Sequence, residues 1–71
     1  MKSYVYVLWH YQSGQMVSIH SRSDRAFNSI KDMWAGNTAN LSFKTVKGDS
    51  EWSVKVHGET IYYIIETVVD P

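Results

Sequence analysis

The stretch YVYVLWHYQSGQMVSIHS, from Tyr4 to Ser21, decides the fold because it has the pattern of two β-strands joined by a tight turn. The residues from Lys2 to Tyr11 are β-branched or aromatic almost without a break, and the strand pattern resumes from Met16 to Ser21. The segment QSG between these two runs contains residue types that favour turns. The stretch therefore predicts an antiparallel β-hairpin.

The length of the loop sets the register of this hairpin. If Gln12, Ser13 and Gly14 form a three-residue loop, Gly14 takes a position that needs a positive φ and favours glycine. The pairs that follow are Tyr6 with His20, Val7 with Ile19, Trp9 with Val17, and His10 with Met16. A two-residue loop of Ser13 and Gly14 would pair Leu8 with Ile19 instead. We favour the three-residue loop because it gathers the branched aliphatic residues on one face.

This register divides the hairpin into two faces. The face that we expect in the core consists of Val5, Val7, Trp9, Val17 and Ile19. The other face carries Tyr4, Tyr6, Leu8, His10, Met16, Ser18 and His20. Because successive side chains of a strand point to opposite faces, this second set is left for another surface.

The next segment, SRSDRAFNSIKDMWAG, has the pattern of one amphipathic helix. Ser21 or Ser23 is expected to cap its N-terminus, Asp24 to lie in the first turn, and Gly36 to follow the last turn. Apolar residues recur at helical spacing and form one stripe, which consists of Ala26, Phe27, Ile30, Met33 and Trp34. We expect this stripe to cover the hairpin face that contains Val7.

The rest of the chain returns to the period of two that is typical of strands. The alternating positions are Leu41, Phe43 and Thr45 in one segment and Trp52, Val54 and Val56 in the next. The final run, TIYYIIETVV from Thr60 to Val69, is apolar on both faces, which is usual for a central strand. The predicted fold is α+β, an antiparallel sheet of four or five strands with one helix packed on one face, in the order β-β-α-β-β-β, as a single small domain over residues 1–71.

One helix can cover only one face of such a sheet, so an apolar patch should stay open on the other face. The residues that we expect on this binding surface are Tyr4, Tyr6, Leu8, His10, His20 and Tyr62. Exposed patches of this kind mark a binding site for another protein or a contact between two copies of one chain. In the alternative, the sheet curls and its rings shield one another.

The composition narrows the classes of function. Seven Lys and Arg balance seven Asp and Glu, and the pI is about 6.8, so the chain lacks the basic footprint of a backbone-driven nucleic-acid binder. Near-neutrality also keeps self-repulsion weak, which favours a homodimer. The chain has no cysteine, and its N-terminal apolar run is far shorter than a membrane span, so we expect a cytoplasmic protein without membrane contact.

No motif points to catalysis, a metal or a cofactor, and we expect a non-enzymatic protein. His10, His20 and His57 lack the short spacings of paired zinc ligands, and the chain has no nucleophile elbow. The main alternative is single-stranded nucleic-acid binding, in which sheet aromatics stack on bases. The stacking residues would be Tyr4, Tyr6 and Tyr62. The lysines, however, are scattered among acidic residues rather than gathered in a groove.

The segments YVYVLWHY and SDRAFNSIKDMW, together with YYIIETVVD, resemble small uncharacterised bacterial and phage proteins that open with a Tyr-Val-Leu-Trp-His strand. The resemblance implies an α+β fold and a phage or mobile-element origin, and it transfers no catalytic residues. The resulting hypothesis is a homodimeric module that binds a host protein, for example a defence or transcription component, and inhibits or redirects it. A purely structural or assembly subunit is a further alternative.

Overall fold

A computed structural model describes residues 3–48 and 50–69 of the chain. The elements follow the order β-β-α-β-β-β, which confirms the predicted α+β fold. The strands are β1 (Ser3–His10), β2 (Met16–His20), β3 (Leu41–Lys47), β4 (Glu51–Val56) and β5 (Glu59–Val69), and the helix is α1 (Ser23–Met33). A short 3₁₀ turn, Thr38–Asn40, precedes β3. Lys2, where we predicted the first strand to begin, and Asp49 in the turn before β4 lie outside the described residues.

The five strands form one antiparallel sheet in the order β2-β1-β5-β4-β3. β5 is the central strand, as its two apolar faces predicted. It pairs with β1 along one edge, where Ser3 lies opposite Val69 and His10 opposite Tyr62, and with β4 along the other edge. Because β5 has a neighbouring strand along each edge, side chains on both of its faces pack against cross-strand partners, which favours apolar residues on both sides.

The hairpin of β1 and β2 has the register of the predicted three-residue loop over most of its length. The confirmed pairs are Tyr6 with His20 and Val7 with Ile19. Nearer the loop the two predicted pairs are wrong, because a β-bulge leaves Val17 as an extra residue and brings Met16 opposite Trp9. Gly14 has the expected positive φ of 69°, and its N–H donates to the carbonyl oxygen of His10 at 2.9 Å.

The helix covers the face of the sheet opposite to the one that we predicted. Leu8 in β1, Ile64 in β5 and Ile30 in α1 are all fully buried in one cluster. The other buried members of this core are Ala26, Val54 and Tyr62. We call this side of the sheet the helix-side face. The prediction that α1 would lie over Val5, Val7 and Trp9 is therefore wrong.

Strands β3 and β4 determine which face the helix covers. Leu8 lies opposite Ile64, and Ile64 lies opposite Trp52. Because residues that lie opposite each other share a face, Leu8 is on the same face of the sheet as the apolar residues of β3 and β4. On the helix-side face β3 and β4 present Leu41, Phe43, Trp52 and Val54, and on the other face they present Ser42, Lys44, Ser53 and Lys55. Only the helix-side face is apolar across all the central strands, and α1 packs there because that arrangement buries the most apolar surface.

The helix begins and ends close to the predicted residues. Arg22, in an extended conformation, occupies the N-cap position instead of Ser21 or Ser23, and no side chain caps the first turn. Asp24 lies in the first turn, as predicted. Of the predicted apolar stripe, Met33 is exposed, because it lies at the last turn and points away from the core cluster.

Aromatic rings continue the core along the helix-side face. Phe27 packs edge-on against Phe43, with ring centroids 5.1 Å apart, and against Trp52 at 5.4 Å. After the last turn of α1, Trp34 Nε1 donates to the hydroxyl oxygen of Tyr62 at 3.3 Å. These contacts show that α1 runs along the sheet from the Trp52 end to the Tyr62 end.

A side-chain hydrogen bond links the two neighbouring strands β1 and β5, and its contribution to stability is testable. The Tyr6 hydroxyl donates to Glu66 Oε2 at 2.9 Å in a half-buried position. Replacing Tyr6 with phenylalanine removes this donor to a carboxylate, so we expect the free energy of unfolding to fall by about 1 kcal/mol. Urea denaturation followed by circular dichroism measures the change.

The matched control is Tyr4→Phe on the same strand, because the Tyr4 ring is 48% exposed. We expect this control to change the free energy of unfolding by less than about 0.5 kcal/mol. If the Tyr6→Phe protein were as stable as the Tyr4→Phe protein, the bond to Glu66 would contribute nothing to stability.

Candidate functional site

The six residues predicted as a binding surface do not form one exposed patch. Leu8 and Tyr62 lie beneath α1, with 0% and 8% of their surface exposed, so their predicted exposure is wrong. They are buried because they belong to the face that the apolar residues of β3 and β4 select for the helix. Tyr4 is exposed, and the three half-buried residues of the set are Tyr6, His10 and His20.

The two histidines of the hairpin lie on the same face but serve separate local contacts. The His10 ring packs edge-on against Tyr62 at 5.7 Å, and its Nδ1 accepts a hydrogen bond from the Ser13 N–H at 3.4 Å. His20 Nε2 lies 2.8 Å from Ser18 Oγ. Among residues 3–48 and 50–69, no three His, Cys, Asp or Glu side chains are grouped in a way that could hold a metal ion.

The open face is the side of the sheet opposite α1. Its apolar members include Val5, Val7 and Trp9 in β1, Met16 and Ile19 in β2, and Tyr63 and Ile65 in β5. No helix or strand among the described residues packs on it. Val7 is nonetheless only 6% exposed, because Ile19 and Ile65 lie opposite it on the two neighbouring strands. Tyr11, just after β1, extends this face by packing edge-on against Tyr63 at 5.1 Å.

Charged residues border the open face on one side only. β4 contributes Glu51 and Lys55 and β3 contributes Lys44 and Lys47, whereas the described parts of β2, β1 and β5 place no charged side chain there. Five strands about 4.8 Å apart, with about seven residues each, give a face of roughly 550 Å². This area is of the order of the roughly 800 Å² that one partner contributes to a standard protein interface. An apolar area flanked by charged residues also agrees with the anatomy of such interfaces, which have an apolar core and a polar rim.

A groove of about 630 Å³ lies between α1 and the edge strand β2, on the helix-side face. The residues that line it are His20 from β2 and Arg25, Asn28, Ser29, Asp32 and Met33 from α1. On the helix-side face β2 presents the polar residues Ser18 and His20. The apolar stripe of α1 therefore packs over the neighbouring strands, and the polar side of the helix lies above β2. We call this feature the edge groove.

In the edge groove, His20 Nε2 is 2.8 Å from Ser18 Oγ, and no carboxylate among the described residues hydrogen-bonds this histidine. α1 has 11 residues, and the described part of the chain contains no helix with the length and apolar character of a membrane span.

Sequence reasoning missed Tyr63 and Ile65 as surface residues and placed Trp9 in the core. The signal that could have found them is the strict alternation of apolar and polar residues in β3 and β4, because it marks the apolar side of the whole sheet. The chain matches no protein-family model, no curated protein and no solved structure.

Proposed function

We propose that this protein is a non-catalytic protein-binding module and that the open face is its contact surface. The observation that supports the proposal is an uncharged apolar area on β2, β1 and β5 that no described element covers. Trp9 and Tyr63 are the proposed anchors, since large rings bury much area at a small loss of conformational entropy. Lys44, Lys47, Glu51 and Lys55 form the polar border of the contact.

The partner that fits this surface is a protein rather than a nucleic acid. Single-strand platforms combine stacking rings with a positive groove, and the border of the open face mixes both signs of charge. Of the three tyrosines that could have stacked on bases, Tyr62 is buried beneath α1 and Tyr6 is half-buried with its hydroxyl donated to Glu66. An apolar partner surface gains more from this face than a phosphate backbone does.

We extend the proposal to the biological partner. A phage or mobile-element protein of this kind acts in the cytoplasm on a host protein, which it inhibits or redirects, and the same face joins two copies into a homodimer when the target is absent. A net formal charge of zero supports self-association, because it leaves little repulsion between copies.

A charge placed on the open face tests this proposal. In Ile65→Lys a charged ammonium replaces an apolar side chain of the open face, opposite Val7 on one side and Glu51 on the other, so we expect association to weaken by at least about tenfold. Light scattering behind size exclusion, over a range of concentrations, measures the mass of the wild type and the variant. The control is Val68→Lys on the same strand, because Val68 is 48% exposed on the other side of the sheet. We expect the wild type and the control to dimerise alike.

A host target is tested with the same two variants in a pull-down from bacterial lysate. A protein that binds the wild type and Val68→Lys but not Ile65→Lys supports the open face as the target site. A protein that Ile65→Lys retains contradicts it. Saturable binding of a short oligonucleotide that weakens with salt would instead favour the nucleic-acid alternative.

A further inference from the structure

We propose that the edge groove binds an extended peptide segment of a partner protein, which adds to the free edge of β2 as a sixth strand. The site goes beyond the proposed function, because it uses the helix-side face and the sheet edge rather than the open face. Addition of a strand to a sheet edge beside a helix is a general mode of peptide recognition, in which the backbone supplies affinity and alternate side chains supply specificity.

The outer edge of β2 has backbone groups to offer. The His10 N–H donates to the carbonyl oxygen of Gln15 at 2.9 Å, so the even residues of β1 direct their backbone groups toward β2. Ser18 and His20, which lie opposite Leu8 and Tyr6, therefore bond to β1. Ile19, between them, directs its N–H and its carbonyl away from the sheet, and β2 has no neighbour on that side among the described strands.

The polar flank of α1 stands beside this edge. α1 returns along β2 in the opposite direction, because it follows β2 directly and runs from the Trp52 end of the sheet to the Tyr62 end. A strand added antiparallel to β2 would run in the same direction as α1. Every second side chain of such a strand would point into the edge groove, first past Arg25 and then past Asp32.

The two charges that line the groove are placed against the preference of the helix. Arg25 is the third residue of α1 and Asp32 is the last but one, so the cation lies near the positive end of the helix dipole and the anion near the negative end. Within the described residues neither side chain has an ion pair or hydrogen bond, whereas Asp24 pairs with Arg22 at 3.1 Å. Two unfavourably placed, unpaired charges that face the same groove fit a role in binding.

These charges define the chemistry of the peptide. Arg25 selects an acidic side chain and Asp32 selects a basic one further along the peptide. The two residues are about 10.5 Å apart along the helix, which lies between the spacing of about 6.7 Å for two strand residues and about 13 Å for four. The ligand is thus an extended segment with Asp or Glu two or four residues before Lys or Arg.

A random nonapeptide library in yeast surface display tests this assignment. The full-length protein, labelled and used to sort the library, is expected to enrich sequences with the acidic residue before the basic one. The charge-exchanged protein Arg25→Asp/Asp32→Arg should enrich the reverse order, and it should remain folded because both new charges suit the helix dipole. No enrichment, or the same enrichment by both proteins, would overturn the proposal.

The edge itself is tested with an enriched peptide. Ile19→Pro removes the outward N–H without breaking a bond to β1, since proline is tolerated on edge strands whose N–H faces solvent, and we expect at least tenfold weaker binding. Ile19→Thr keeps the N–H and should bind like the wild type, as should Ile65→Lys on the open face. Loss of binding in Ile65→Lys but not in Ile19→Pro would move the peptide to the open face, which overturns this site and leaves the proposed function supported.

Discussion

Leu8→Ala is expected to lower the free energy of unfolding by about 3 kcal/mol, because the Leu8 side chain on β1 is completely buried beneath α1 and its truncation leaves a cavity. A domain of 71 residues has a total stability of roughly 5 kcal/mol, so more than half of it would be lost. The midpoint of thermal unfolding should fall by roughly 12–24 °C. Circular dichroism during heating and urea titration measures both quantities.

The control for this experiment is Ile19→Ala, which truncates an aliphatic residue that is 54% exposed on the open face. We expect it to change the free energy of unfolding by about 0.5 kcal/mol or less. The pair also decides between the two faces of the hairpin. If Ile19→Ala were the more damaging substitution, the helix would cover the open face, and both proposed binding sites would fall with it.

The second large effect is expected from Trp52→Ala. Trp52 lies 5.4 Å from the ring of Phe27 and 6.1 Å from that of Tyr6, so its removal takes the central ring from the aromatic part of the core. We expect a loss of about 3 kcal/mol. Urea denaturation followed by circular dichroism, which does not depend on the tryptophans themselves, is the measurement.

Trp9→Ala is the matched control, because Trp9 is a half-buried tryptophan of the same sheet on the face without a helix. A loss of about 1 kcal/mol is expected there, since Trp9 has Met16 and Tyr63 opposite it on the neighbouring strands but no helix above it. Equal losses from the two substitutions would mean that the open face is packed as firmly as the helix-side face and is not a free surface.

The order of the elements could be predicted because each left a strong local signal. The run from Thr60 to Val69 is apolar on both faces, and it forms the central strand. The apolar residues of α1 recur at helical spacing, and two of them, Ala26 and Ile30, are buried as that spacing implies. Such signals depend on neighbours a few residues apart, so they are legible in one sequence.

The assignment of faces could not be predicted from the hairpin, because both of its faces are apolar. The choice depends on the pairing of Leu8 with Ile64 and of Ile64 with Trp52, which joins residues far apart in the chain. The bulge at Val17 was missed for a related reason, since one extra residue in a strand leaves the apolar pattern nearly unchanged. The edge groove could not be predicted either, because it depends on the position of α1 over the sheet, and no local sequence pattern specifies that position.

The pairing of β1 with β5 also governs how this chain reaches its folded state. The central pair of strands joins the first described residue, Ser3, to the last, Val69, so the middle of the sheet is made by the longest loop closure available to the described chain. Until β5 pairs with β1, Leu8 and α1 lack Tyr62 and Ile64, two buried members of their shared core. The folding barrier is therefore expected to come from the pairing of β1 with β5, which lie at opposite ends of the described chain. Before these strands pair, the hairpin and the helix on their own have only marginal stability.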